Sequence, residues 1–351
     1  MLFKYIAFHY LKNMLIILIG LTGLFAGLDF LMNGSSLPSF NIKVLYIFNK
    51  WQESLNLLYP LAIIFGGIWT KITFIKKNTM GAIYALGVSR VEVFKPFFFI
   101  SLSTYLLFVG LNFTSFAVAK DTARALKKNE YNIKKSKDLF FKYNNSFVYI
   151  GMLLPYERKL ENLTIFELKD DKVIKVTTAK SATYNGSEWL AKGITQKIKT
   201  IDNSGEPVLK IEKIDKIKTL KEYHPKILNS IYEEKELTLY ESLIAEKLLS
   251  TQGVSTYKVR SNIYGKTILP LFSIALLMIL IFRFPFHARY MNIGSTTIKA
   301  LGGTLFTWGI LFSLQQMGAT AVIIPEIASI VPVSLLWIYA IYSLGKTKKR
   351  I

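Results

Sequence analysis

Apolar residues fall in six runs of membrane-crossing length, at 13–32, 54–75, 96–119, 265–284, 298–317 and 321–344. A bilayer core of ~30 Å needs about 20 helical residues to cross it, so each run predicts a transmembrane helix. The first run is longer than the apolar centre of a signal peptide, and no small-x-small cleavage site follows it. It therefore reads as a retained anchor.

Between the third and fourth runs, residues 120–258 turn polar and charged. Short β-branched or aromatic stretches at 146–150, 163–168, 172–178, 189–200 and 208–217 predict strands. Turn signals at Asn144-Asn145, Asp170-Asp171, Asn185-Gly186 and Asn203-Ser204-Gly205 separate them. Strands at this spacing predict a β-sandwich or jelly roll, and residues 238–249 then change to a helical pattern. The expected fold is a polytopic α-helical membrane protein with three spans on each side of an inserted all-β jelly-roll domain. Its parts are 1–119, 120–258 and 259–351.

Composition supports the membrane reading: 51% of the residues are hydrophobic and 25 of the 351 are Phe. The net charge of +21 would point to nucleic acid in a soluble chain, but its distribution gives it another meaning. Lys4, Lys12, Lys71, Lys76, Lys77, Arg90, Lys95, Arg283, Arg289, Lys299, Lys346, Lys348, Lys349 and Arg350 gather on one side of the spans, with Glu92 as the acid among them. The other side holds Lys43, Lys50, Arg260 and Lys266 against Asp29, Glu53 and Glu326. The positive-inside rule then makes both termini cytoplasmic and places the polar domain outside, so no nucleic-acid partner is expected. The absence of cysteine excludes disulfides and thiolate chemistry.

Catalytic patterns are missing. His9, His224 and His287 are isolated, without metal-ligand spacing. Gly265-Lys266-Thr267 and Gly345-Lys346-Thr347 imitate the end of a phosphate loop, but Arg260 and Ala340 stand where its first glycine belongs. An ATP-driven process would need its ATPase, and the ATP and magnesium, on another polypeptide. Charges at the outer span ends admit two readings. One is interfacial snorkelling or local ion pairing; the other is a polar rim for an anionic lipid head group, with Lys43, Lys50, Arg260 and Lys266 as the cations. Between the second and third runs, residues 78–90 are too short to span. Met80, Ile83, Tyr84 and Leu86 form a partial stripe, Asn78 or Thr79 can cap its start, and Gly87 can end it. This is either an interfacial helix or a docking helix whose small residues Gly81, Ala82 and Ala85 admit a cytoplasmic partner.

These residues resemble the LptF/LptG family of lipopolysaccharide-export permeases. The resemblance covers nearly the whole chain and rests on the order and spacing of several motifs. They are Leu58-Tyr59-Pro60-Leu61-Ala62 with Gly66-Gly67, the loop Ala85-Leu86-Gly87-Val88-Ser89-Arg90, the block 318–325 followed by Pro332, and the strand-like Phe147-Val148-Tyr149-Ile150-Gly151 and 160–166. The carboxy-terminal half is more similar to LptG than to LptF. The resemblance implies an ABC-type exporter in the bacterial inner membrane, with a paired LptF/LptG-type permease, an LptB-like ATPase dimer, an LptC-like single-span protein and an LptA-like periplasmic bridge. It also implies an ATPase-coupling helix carrying Thr79, Met80, Gly81, Ala82, Tyr84, Ala85, Gly87 and Arg90, and a lateral gate lined by the first and fifth spans. In the outer domain, inward residues such as Phe147, Tyr149, Ile165 and Phe166 would line an acyl-chain groove or a closed core. The chain departs from the family at Thr79, where a glutamate is common, and at Ala26 and Glu53, the positions nearest to basic residues of some members. A membrane-anchored sensor with a periplasmic ligand-binding domain, or the permease of another lipid or lipoprotein exporter, are the alternatives that the residues leave open.

Overall fold

The computed structural model describes residues 1–127, 136–144, 146–155, 157–169, 172–201, 207–221, 223–225, 228, 236–251, 255–284 and 292–348. The expected turns at Asn145, Asp170-Asp171 and Asn203-Ser204-Gly205, together with His287, Arg289, Lys349 and Arg350, lie outside them. The chain divides into two compact units, one of Met1–Lys127 with Tyr257–Ile351 and one of Lys128–Thr256.

The first unit is helical. Its elements are α1 (Leu2–Asn33), α2 (Phe40–Lys76), α3 (Thr79–Ala85), α4 (Arg90–Leu111) and α5 (Ala119–Lys127) before the insertion. After it come α7 (Tyr257–Thr267), α8 (Phe272–Arg283), α9 (Ile293–Ala319) and α10 (Pro325–Lys348). Among the described residues six helical stretches are long and apolar enough to cross a membrane, as the hydrophobic pattern anticipates. The third ends at Leu111, short of the anticipated residue 119. There Asn112 caps α4, and a short 3₁₀ turn at Ser115–Val118 leads into α5. The fourth is built from two helices, α7 and α8, because Pro270 sits in a 3₁₀ turn at Leu269–Leu271 and cannot continue the α-helical bonding.

α2 is the pillar of this unit. It is largely buried, whereas α1, α9 and α10 turn most of their surface outward. The inner stripe of α1 is Ile6, Tyr10, Met14, Leu18, Thr22 and Ala26, one residue per turn. That stripe lies on α2. At Gly66 a Cβ would stand 2.6 Å from the Met14 Cα, so the two backbones approach as closely as a missing side chain allows. Polar bonds fix the register: Tyr10 donates to the Ile63 carbonyl at 3.0 Å and pairs with Ser101 of α4 at 2.7 Å, and Asn13 donates to Thr70 at 2.9 Å. On the other side, Gly67 leaves room for Leu277 of α8. Pro60 has no N–H for the Asn56 carbonyl. One turn before it, the Asn56 amide exchanges hydrogen bonds with the Asn112 amide at 3.1 and 2.9 Å, joining α2 to the end of α4.

The described residues of the second unit form six strands: β1 (Ser136–Tyr143), β2 (Ser146–Leu154), β3 (Lys159–Lys169), β4 (Lys172–Tyr184), β5 (Trp189–Ile201) and β6 (Pro207–Thr219). Helix α6 (Leu239–Thr251) follows them. The strands are all antiparallel in the order β1-β2-β3-β4-β5-β6, so the sheet of the inserted β domain is a meander in which every strand pairs with its sequence neighbour. The reading from sequence lacks β1, since Ser136–Tyr143 carries no turn signal at its start.

A transverse crease crosses this sheet. Pairing lapses at Asp138–Gly151, Gly151–Asn162, Asn162–Lys180, Lys180–Gly193 and Gly193–Asp215, although the register on both sides stays the same. Asp138, Asn162 and Gly193, on alternate strands, have φ of 53°, 55° and 64°. These are residue types that tolerate the left-handed region. Strands β1 to β5 each lose one step of their in–out alternation at the crease, so the buried residues straddle it three apart: Ser136 and Leu139, Ile150 and Leu153, Leu160 and Leu163, Ala179 and Ala182, Ala191 and Ile194. At the end of the sheet Trp189, fully buried, donates from Nε1 to the Tyr223 carbonyl at 2.7 Å.

The α1–α2 contact gives a direct prediction. Gly66→Ala should destabilise the chain by about 1–3 kcal/mol, because the new methyl meets backbone. Gly67→Ala should cost less, since it meets only the end of the Leu277 side chain. Thermal unfolding in detergent checks this as a lower midpoint for Gly66→Ala than for Gly67→Ala.

Candidate functional site

The segment between α2 and α4 folds into the expected short helix. Asn78 turns the chain with φ of 56°, α3 occupies Thr79–Ala85, and Gly87 leaves it with φ of 79°. A capping box then starts α4: Ser89 accepts from the Glu92 amide at 3.2 Å while the Glu92 carboxylate accepts from the Ser89 amide at 3.0 Å. Met80 and Ile83 are buried in the core of the helical unit and anchor α3 to it. Tyr84 is half-buried against the same core, and this burial raises its phenol above the ordinary tyrosine range. The outward face carries Ala82 and Ala85, with Gly87 beyond it; Thr79, Gly81 and Arg90 are partly exposed. Leu86 departs from the anticipated stripe. It follows the last helical turn and stands 81% exposed, a bare apolar knob beside two alanines.

The outer-end cations are held in two places. Lys43 lies in the first turn of α2, half-buried. Lys50 bridges two helices, 3.2 Å from Asp29 of α1 and 2.7 Å from Glu53 of α2. The Tyr46 hydroxyl donates to the same Asp29 at 2.5 Å, and Trp51 Nε1 donates to Thr22 at 3.0 Å. Two carboxylates and one ammonium leave this knot with a net negative charge. The second place joins α7 to α10: Arg260 Nη1 meets Glu326 at 2.7 Å, Tyr264 donates to the same carboxylate at 2.9 Å, and the Arg260 guanidinium lies 5.3 Å from the Tyr257 ring centroid. Arg260 Nε, Glu326 Oε2 and Ser329 Oγ are buried there without a hydrogen-bond partner among the described residues. Lys266 sits in the last turn of α7. Of the two readings for these charges, local ion pairing is what Lys50 and Arg260 display.

In the β domain the anticipated inward set needs correction. β2 alternates so that Val148 and Ile150 are buried, while Phe147 and Tyr149 face the opposite side. Phe166 pairs with Phe147 in the register and shares that side, and Ile165 alone of the four is buried. The result is an exposed aromatic strip, in which Phe147 stacks on Phe140 with centroids 5.5 Å apart. Tyr149 donates to Asp138 in the crease at 2.5 Å, which holds its phenol above the usual range. Sequence periodicity alone could not assign the faces, because both sides of β2 are apolar.

No group of three or more potential metal ligands occurs among the described residues. His9 bonds the Tyr5 carbonyl at 2.9 Å and lies tilted against the rings of Tyr5 and Phe74. His224 lies edge-on to Tyr184.

Against this geometry, the profile described as lipopolysaccharide export system permease LptF/LptG matches residues 4–346. The chain belongs to the LptF/LptG family. It is therefore a lipopolysaccharide-export permease, a multi-pass protein of the inner membrane with a β domain inserted between its third and fourth spans. Comparison with curated proteins finds no match.

For an LptF/LptG permease, the Arg260–Glu326 pair should act as structure that tolerates joint but not single replacement. Glu326→Leu alone leaves a partly buried cation uncompensated and should cost about 1–3 kcal/mol. Arg260→Met combined with Glu326→Leu should recover most of that loss, read as the thermal midpoint of the detergent-solubilised protein.

Proposed function

We propose that this chain is one of two paired permeases in an ABC-type exporter, and that it takes its energy from a separate ATPase dimer docked on α3. The observation that carries this reading is the construction of α3. Met80 and Ile83 fasten it to the helical core, while Ala82, Ala85 and Leu86 remain bare on its outer face. A short helix anchored on one side and unpaired on the other passes a push into the spans that flank it, α2 and α4. Small residues let a partner approach closely, and Leu86 gives that partner an anchor to enclose.

The termini and α3 then face the cytoplasm, in accordance with the basic residues at those span ends, and the β domain faces the periplasm. Lipopolysaccharide is anchored by ~0.8 kcal/mol for each buried methylene, so its route out of the bilayer must be continuously apolar. The outward surfaces of α1 and α9 supply such a route at a gate shared with the paired permease: Leu15, Ile19 and Leu28 on α1, and Ile298, Leu305 and Phe306 on α9, are all exposed. Beyond the membrane, the aromatic strip of Phe140, Phe147, Tyr149 and Phe166 is a surface for acyl chains on their way to an LptA-like bridge, with an LptC-like protein alongside. Lys43, Lys50, Arg260 and Lys266 remain the candidates for the lipid phosphates. For Lys50 and Arg260 that role requires exchange of a carboxylate partner for a phosphate.

Leu86→Asp tests the docking assignment without touching the core. Losing a buried leucine contact and adding a charge at the interface should weaken capture of the ATPase by about 2 kcal/mol or more, roughly thirtyfold, while the paired permease still copurifies. Full ATPase recovery with Leu86→Asp would contradict the assignment.

A further inference from the structure

Lys71 lies near the cytoplasmic end of α2 and is 2% exposed. Among the described residues no carboxylate faces it. Its ammonium stands 5.9 Å from the ring centroid of Tyr84 on α3, and the charge that acts on it is that of Arg90, of the same sign. Taking an ammonium out of water without a counter-ion is unfavourable, and an unbranched apolar side chain would fill the same space without that penalty. Stability of the bundle therefore does not account for the charge. Position does: an ammonium over an aromatic face is attracted by the ring, more strongly where water is excluded. Tyr84 is the residue of α3 that meets it.

The surroundings of Lys71 reach the other spans. Thr70, its neighbour, accepts from Asn13 of α1 at 2.9 Å and donates to the Gly66 carbonyl at 2.7 Å, and at Gly66 a Cβ would stand 2.6 Å from the Met14 Cα of α1. A path of contacts thus runs from Tyr84 to Lys71, along one turn of α2, and across to α1. We propose that Lys71 is a positioning residue that fastens α3 to α2, so that displacement of α3 by a docked ATPase is passed through Thr70 and Asn13 to α1. This rests on α3 being the dock, and the experiment separates the two claims.

The assembled exporter, with its paired permease and ATPase, is reconstituted in vesicles, and lipopolysaccharide released per ATP hydrolysed is measured beside ATPase recovery and thermal midpoint. Lys71→Met and Tyr84→Leu should each lower the transport ratio by about three- to tenfold while the ATPase is still captured. Lys71→Met should melt no lower than the parent, which a purely structural role would not allow. Lys71→Arg and Tyr84→Phe, which keep the cation and the ring, should stay within about twofold of the parent. The double variant Lys71→Met with Tyr84→Leu should fall no further than the worse single one. A parental ratio for Lys71→Met, or a double variant showing the product of the two single losses, overturns the role of Lys71. Ala82→Glu on the outer face of α3 should abolish ATPase capture; retained capture overturns the docking reading itself.

Discussion

The helical unit depends on how closely α1 and α2 approach at Gly66 and Met14. The absent side chain at Gly66 lets the stripe from Ile6 to Ala26 seat along α2, and the same turn of α2 accepts Leu277 at Gly67. Between membrane helices no hydrophobic drive favours burial, because lipid is as apolar as leucine. Close packing and polar bonds such as Tyr10–Ser101, Asn13–Thr70 and Asn56–Asn112 therefore set the arrangement. With α2 held from several sides, α1, α9 and α10 keep apolar faces turned outward. That division between a fixed pillar and exposed outer helices suits a permease, which must hold its own shape while offering surfaces to a partner and to lipid.

The β domain solves a different problem. Its strands are long and antiparallel, and the crease from Asp138 to Asp215 interrupts each of them at one aligned residue without changing the register. A left-handed residue on alternate strands turns the side chains over, so both halves of the sheet present apolar residues to the same side. The opposite face keeps its aromatic strip. A flat sheet with strict alternation would bury Phe147 with Ile150 only if one of them changed sides.

Much of this was legible in the sequence. The six spans, the inserted strand-rich domain and the short helix after α2 follow from apolar run length, alternation and the Asn78 and Gly87 turns. What the sequence could not display was contact across the fold. Asp29 is separated from Lys50 and Glu53 by a helix-to-helix return, so its place in the knot around Lys50 depends on how α1 meets α2. Leu86 has the spacing of a core residue, but α3 stops one residue earlier and leaves it outside. The facing of Phe147 and Tyr149 was hidden because apolar residues flank both sides of β2. Lys71 was visible only as one of the bases gathered at the same span ends, since its burial arises from tertiary packing.

We propose above all that a separate ATPase drives lipopolysaccharide through this chain towards its β domain. The most direct measurement places a photoreactive amino acid at Phe147 in the reconstituted exporter and follows its adduct with lipopolysaccharide. The account predicts an adduct that accumulates with ATP and disappears when the partner ATPase is inactivated. An adduct of equal yield without ATP would contradict it.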